Sequence, residues 1–210
     1  MNINIYVANA SHVEYAEPIC ELMYISALER GTGIAKRSPE YIAEKMRSGK
    51  AVIALYGAEL VGFSYIETWS HSHFVGNSGL IVAHKYRNAG VAKKIKKKVF
   101  ELSRKLYPEA KIFSITTGLA VMKMNTGLGF KPVPFSELTS DQEFWNGCKG
   151  CKNYDILERN EFKMCLCTGL LFDPSASKMK NKITPVLASV GRSVFVNPIM
   201  KINSIISIKK

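Results

Sequence analysis

The stretch from Leu80 to Lys94 constrains this chain more than any other. Leu80-Ile81-Val82-Ala83 is an apolar run of strand character, and Arg87-Asn88-Ala89-Gly90-Val91-Ala92 is a turn of mostly small residues. The helix that follows repeats Val91, Ile95, Val99, Leu102 and Leu106 on one face and carries five lysines in its first turns. A strand feeding such a loop into a helix is a phosphate-holding geometry. The first N–H groups of the helix have no intrahelical acceptor, and the helix dipole puts partial positive charge beside them. Gly90 and Ala92 let the backbone approach a ligand closely. The plainer alternative is an ordinary βα turn of some other α/β domain.

The elements on either side decide between the two. Strands are expected over 3–8, 51–56, 59–67, 74–83, 111–116 and 130–133, and helices over 12–28, 38–48, the long lysine-bearing segment and 118–128. Pro18 requires a kink or break in the first helix. The order β-α-α-β-β-β-α-β-α-β, the Arg87-x-x-Gly90-x-Ala92 loop and Gly127-Leu128-Gly129-Phe130 together resemble the GNAT acetyltransferase superfamily. That resemblance implies an α/β (α+β) fold whose mixed sheet splays between the fourth and fifth strands, and acyl-CoA as co-substrate. It implies pantetheine pairing along Leu80, Ile81 and Val82, and pyrophosphate on Arg87, Asn88, Ala89, Gly90, Val91 and Ala92. Lys93, Lys94 or Arg87 would stand near the 3′-phosphate, although a lysine run is also what a solvated helix face looks like. The family's usual thiolate-protonating tyrosine falls on Asn125 here, so water or another group must serve, or the thiolate leaves unaided.

Acyl transfer to an amine needs the amine deprotonated. Glu67, at a strand end, is the first candidate base, with His71 and His73 behind it because histidine titrates near neutrality. The segment Glu29 to Pro39 holds two glycines and the cations Arg30, Lys36 and Arg37, which can clamp a carboxylate. A solvated loop is its alternative reading. Ser114, Thr116 and Thr117 could hydrogen-bond substrate or thioester. More loosely, Arg30 to Pro39 and Phe113 to Gly118 make the chain similar to stand-alone bacterial N-acetylglutamate synthase-like acyltransferases of arginine biosynthesis, which implies a glutamate-like acceptor and an acetyl or succinyl group. The rival function is a non-catalytic acyl-CoA-binding or assembly module. Acetylation of a protein lysine is disfavoured, because a cationic acceptor loop repels a basic substrate.

Four of the five cysteines form Cys148-x-x-Cys151 and Cys165-x-Cys167. Paired thiolates at such spacings converge on tetrahedral zinc, with Gly147 and Gly150 giving the first pair a tight turn. Redox chemistry and plain core thiols are the alternatives, since residues two apart on a strand need a bend to share one ion.

The net charge of +12 would read as a nucleic-acid signal, but from Ser175 onward there are seven basic residues and no acidic one, which leaves +5 for the first 174. Nucleic acid is therefore not an expected partner; a small-molecule amine is, and a homodimer stays open. No apolar run reaches the length of a membrane span and no signal peptide opens the chain, so the expected location is cytoplasmic. The expected organisation is an acyl-CoA-binding domain over 1–140, a Cys-rich extension over 141–174, and a basic tail over 175–210 whose partner the sequence leaves open.

Overall fold

The computed structural model describes residues 2–31 and 36–176. The compact unit that carries the site ends at Pro174. The expectation of a basic tail lies outside the described residues from 177 on.

Among the described residues the sheet has seven strands: β1 (Asn4–Val7), β2 (Ala51–Tyr56), β3 (Glu59–Trp69), β4 (Phe74–Val82), β5 (Lys111–Thr116), β6 (Lys131–Val133) and β7 (Thr168–Phe172). Their order is β1-β2-β3-β4-β5-β7-β6. Every pairing is antiparallel except β4 with β5. On one face lie α1 (Ala16–Arg30) and α2 (Pro39–Arg47), whose Ile19, Met23, Ile42 and Met46 pack on Ile53, Phe63 and Ile81. On the other lies α3 (Val91–Leu106), whose apolar stripe Val91, Ile95, Val99 and Leu102 packs on Val52, Val61, Ile66 and Val75. α4 (Leu119–Gly127) follows β5.

The break that Pro18 demanded comes just before it. Ala10–Tyr15 is a 3-10 turn and α1 starts at Ala16, so Pro18 sits in a first turn where its missing N–H leaves no acceptor unfilled. Ser38 caps α2 by accepting from the Tyr41 N–H, with Pro39 as its first residue.

The segment read as a Cys-rich extension supplies a strand to the same sheet: β7 enters between β5 and β6, pairing five residues of β5 from Ile112–Phe172 to Thr116–Thr168. Short helices α5 (Gln142–Asn146) and α6 (Tyr154–Arg159) precede it. Trp145, Leu157, Phe135 and Leu138 pack on Phe113 and Leu171 in a third apolar cluster.

Candidate active site

The parallel ladder between β4 and β5 is short. It holds Phe74–Lys111, Val75–Ile112 and Gly76–Phe113, and then stops. From Asn77 to Val82, β4 continues with no β5 partner, while β5 stays paired to β7 on its other edge as far as Thr116. This gap is the splay, and it leaves an edge of β4 backbone that includes Leu80, Ile81 and Val82 open to an extended ligand. A bulge sets its geometry: the β3–β4 register slips between Phe63–Ile81 and Tyr65–Ser78. Gly79 sits in it at φ 64°, with no room for a side chain, since a Cβ there would lie 2.3 Å from Tyr65 Cε1.

At the far end of β4 the chain turns through His84–Tyr86 and Asn88, whose φ is 66°, to Gly90 at φ 75°, which starts α3 without a side-chain cap. The N–H groups of Val91, Ala92 and Lys93 therefore have no intrahelical acceptor. Lys93 and Lys94 are exposed on this first turn. Arg87, expected near the phosphates, is held by two side-chain hydrogen bonds. Its Nε donates to Val82 O (3.3 Å) and its Nη2 pairs with Glu29 of α1 at 2.7 Å, so its side chain braces the loop against α1.

On the α1/α2 face of the sheet, directly across the ladder from Gly76, stands Glu67. It is 5 % exposed. Lys45 Nζ of α2 lies 3.5 Å from Glu67 Oε1, yet that oxygen has no hydrogen-bond partner among the described residues. Burial raises the Glu67 carboxyl above its ordinary range, Arg37 opposes this, and Glu143 of α5 adds to it as a like charge. Burial likewise lowers Lys45, helped by Lys50 and Arg37. Arg37 donates from Nε to Tyr65 Oη (3.0 Å), and both Arg37 and Lys45 lie over the Tyr41 ring. Trp69 Nε1, on the same face as Glu67, is also buried without a partner, 3.3 Å from where a Cβ of Gly76 would be. Two cations, a buried carboxylate and an indole N–H thus surround the mouth of the splay. Lys45, Tyr65 and Trp69 are absent from the sequence-based site; a lysine at helical spacing from Tyr41 was the faint signal for the first.

No family model and no curated protein sequence matches this chain. Solved structures do. N-acetylglutamate synthase from Neisseria gonorrhoeae, complexed with coenzyme A and N-acetyl-glutamate, superposes with a TM-score of 0.56 at 15% identity over 82% of this chain. The match spans 35% of the synthase, about a third of its length. The protein yncA from Salmonella typhimurium, solved with its cofactor acetyl-CoA, gives 0.58 at 12% identity over 83% of this chain and 95% of its own. An acetyltransferase of the GNAT family from Staphylococcus aureus gives 0.53 at 20% identity, covering 67% of this chain and 91% of its own. This chain has the GNAT fold. At these identities the likeness concerns the fold.

Within the GNAT frame the remaining site expectations fall as follows. Arg37 joins Glu67, whereas Lys36 is exposed. Arg30 ends α1, with its side chain outside the described part. His71 and His73 lie exposed in a turn where Ser70, His71 and Ser72 all have positive φ, one strand end beyond Glu67. Thr116 Oγ1 accepts from the Gly118 N–H (3.0 Å) and so shapes the entry to α4. Asn125 is 0 % exposed, and neither amide atom has a hydrogen-bond partner among the described residues.

Cys148, Cys151, Cys165 and Cys167 all line one cavity of about 20 Å³, with Ile115, Phe135 and Leu157. Asn153 N–H donates to Cys151 Sγ (3.5 Å), and the Cys165 thiol donates to Asn153 O (3.7 Å). Burial first, then the neighbouring cysteines, pushes Cys148 up to about 11 and Cys167 up to about 12. Among the described residues no three His, Cys, Asp or Glu side chains form a group that could hold a metal ion. The expected zinc ligands thus share a cavity without forming such a group, and two of the sulfurs hydrogen-bond the backbone of Asn153.

Proposed function

We propose that the protein is an acyl-CoA-dependent N-acyltransferase that moves an acetyl or succinyl group to the amine of a small anionic acceptor such as glutamate. The observation that carries this reading is the placement of Glu67 opposite Gly76, where the β4–β5 ladder ends, with one buried carboxylate oxygen ion-paired to Lys45 but without a hydrogen bond, and with Arg37 nearby. Neighbours of the same fold hold CoA, acetyl-CoA and N-acetyl-glutamate, which agrees with the reading.

The chemistry follows from the positions. Acyl-CoA lies in the splay, its pantetheine along Leu80–Val82 and its pyrophosphate on the N–H groups of Gly90 to Lys93, with the exposed Lys93 and Lys94 near the 3′-phosphate. The acceptor's carboxylate meets Arg37 and Lys45, so its amine faces Glu67. Burial raises the Glu67 carboxyl above its ordinary value, which makes it a stronger proton acceptor. The amine nitrogen then attacks the thioester carbon. Unpaired backbone N–H groups of β4 polarise the carbonyl, and the C–S pair leaves on sulfur.

Thiol release from acetyl-CoA and succinyl-CoA with a panel of free amino acids tests the proposal. Release that depends on one acidic amino acid is expected. Tight CoA binding with no release for any amine would instead identify a non-catalytic acyl-CoA-binding module, a reading that Asn125 in place of a tyrosine favours.

Zinc on the four cysteines belongs to the same proposal, supported by their common cavity and by the N–H directed at Cys151. The ion would draw the thiols inward and displace their protons. It would then brace α5, which carries Glu143 and whose Phe144 stacks on Trp69 at the acceptor side. One zinc per chain in protein purified under reducing conditions without chelator is the expected result; substoichiometric metal overturns it.

A further inference from the structure

α3 carries lysines at 93, 94, 96, 97 and 98, and one of them does not face water. Lys96 is 2 % exposed. Among the described residues no carboxylate pairs with it, so it lacks the usual compensation for a buried charge. Its Nζ lies 3.4 Å from Asn77 Oδ1 and 5.3 Å from the centre of the Phe130 ring. Asn77 in turn donates to Ser103 Oγ (2.8 Å), which donates to Val99 O. Arg104, a further cation of α3, lies over Phe172.

The position matters more than the burial. Asn77 is the first β4 residue beyond the last β4–β5 pair, so it marks the crotch of the splay. Phe130 follows α4, the helix that leaves the end of β5, and its N–H donates to Asn125 O (3.1 Å). Lys96 therefore bridges β4 and the α4 end beneath the gap between the two strands, on the face opposite Glu67. Asn125, fully buried with both amide atoms unpartnered, belongs to the same α4 end. A buried polar group without a partner, as Asn125 is, can be completed by a ligand.

We propose that Lys96 is the positive charge that stabilises the leaving thiolate of coenzyme A, the task for which the fold's tyrosine position offers only Asn125. This rests on the acyl-CoA reading above. As the amine nitrogen bonds to the acyl carbon, the C–S bond breaks and its electron pair stays on sulfur above the Lys96 ammonium. The proton lost by the amine passes through Glu67 to water, and the sulfur takes a proton from water on release. Burial lowers the Lys96 ammonium to about 7 in the absence of an anion, and a thiolate above it raises that value again.

Free CoA bound to the full-length protein is the probe, with its thiol titrated by thiolate ultraviolet absorbance. In the wild type the bound thiol titrates about one to three pH units below free CoA. Lys96→Met moves it back toward free CoA, and Lys96→Arg, which keeps the charge, holds it low. A wild-type bound thiol that titrates at or above free CoA overturns the inference by itself, as does Lys96→Met superposing on wild type. Absence of CoA binding to wild type overturns the acyl-CoA reading and this inference with it; binding with an unshifted thiol overturns only the inference.

Discussion

Replacing Lys96 by methionine tests the buried charge independently of any ligand. Burial brings Lys96 from 10.5 down to about 7 in the native protein. Between those values the unfolded chain binds a proton that the native chain lacks, so this group makes stability rise with pH through that window. The slope approaches 1.4 kcal/mol per pH unit. Over the range from about pH 9.5 down to about pH 6.5 the wild type forfeits about 3 kcal/mol from this one residue. Methionine fills the lysine stem's volume and titrates nowhere. It leaves Asn77 Oδ1 without its donor and removes the cation over Phe130, losses of about 1–3 kcal/mol and about 1 kcal/mol. Those losses offset the two curves without giving the variant a slope. Urea unfolding followed by circular dichroism at a series of pH values gives both curves by linear extrapolation. The variant-minus-wild-type difference should grow in the variant's favour by about 3 kcal/mol as pH falls across that range. Parallel curves would mean that native Lys96 keeps its proton throughout, and the reasoning from burial would fail.

Glu67→Gln should lower turnover by about 10²–10⁴-fold with little change in CoA affinity, and wild-type rate should fall as pH drops through the raised Glu67 value; an unchanged rate across pH removes Glu67 as the base. Arg37→Met should raise KM for an anionic acceptor about tenfold or more while leaving the dissociation constant for CoA alone, and a loss of CoA binding instead would move Arg37 to the cofactor side. Gly79→Ala should destabilise by at least about 1–2 kcal/mol from its left-handed φ, with a further loss from the clash with Tyr65; wild-type stability in chemical denaturation would show that the bulge relaxes freely.

Much of the fold was legible because its signals are local. The 3.6-residue stripe of α3, the helix start at Ser38 and the small-residue loop at Gly90 each depend on neighbours within a few positions. Glu67 was legible as a strand-end carboxylate, and Arg37, whose charge acts on it, as a cation in a glycine-bearing loop. β7 was not placed in the sheet, because its pairing with β5 joins residues more than fifty apart and no spacing in either strand names the other. The ion pair of Arg87 with Glu29 was not legible, because the two residues stand 58 positions apart.

Lys96 shows where the boundary lies. By itself the sequence determined that α3 is an amphipathic helix following a phosphate-type loop, that β4 leads into it, and that the chain contains the elements of a GNAT sheet. In the run Lys93 to Lys98 nothing in the sequence sets Lys96 apart from Lys97 and Lys98, which read as solvated cations. Only the tertiary structure decided that helix rotation turns Lys96 under Asn77 while Lys97 and Lys98 face water. Periodicity reports which face of a helix is apolar on average. Whether a polar residue at the margin of that face is covered depends on which strand lies above it and where that strand parts from its neighbour.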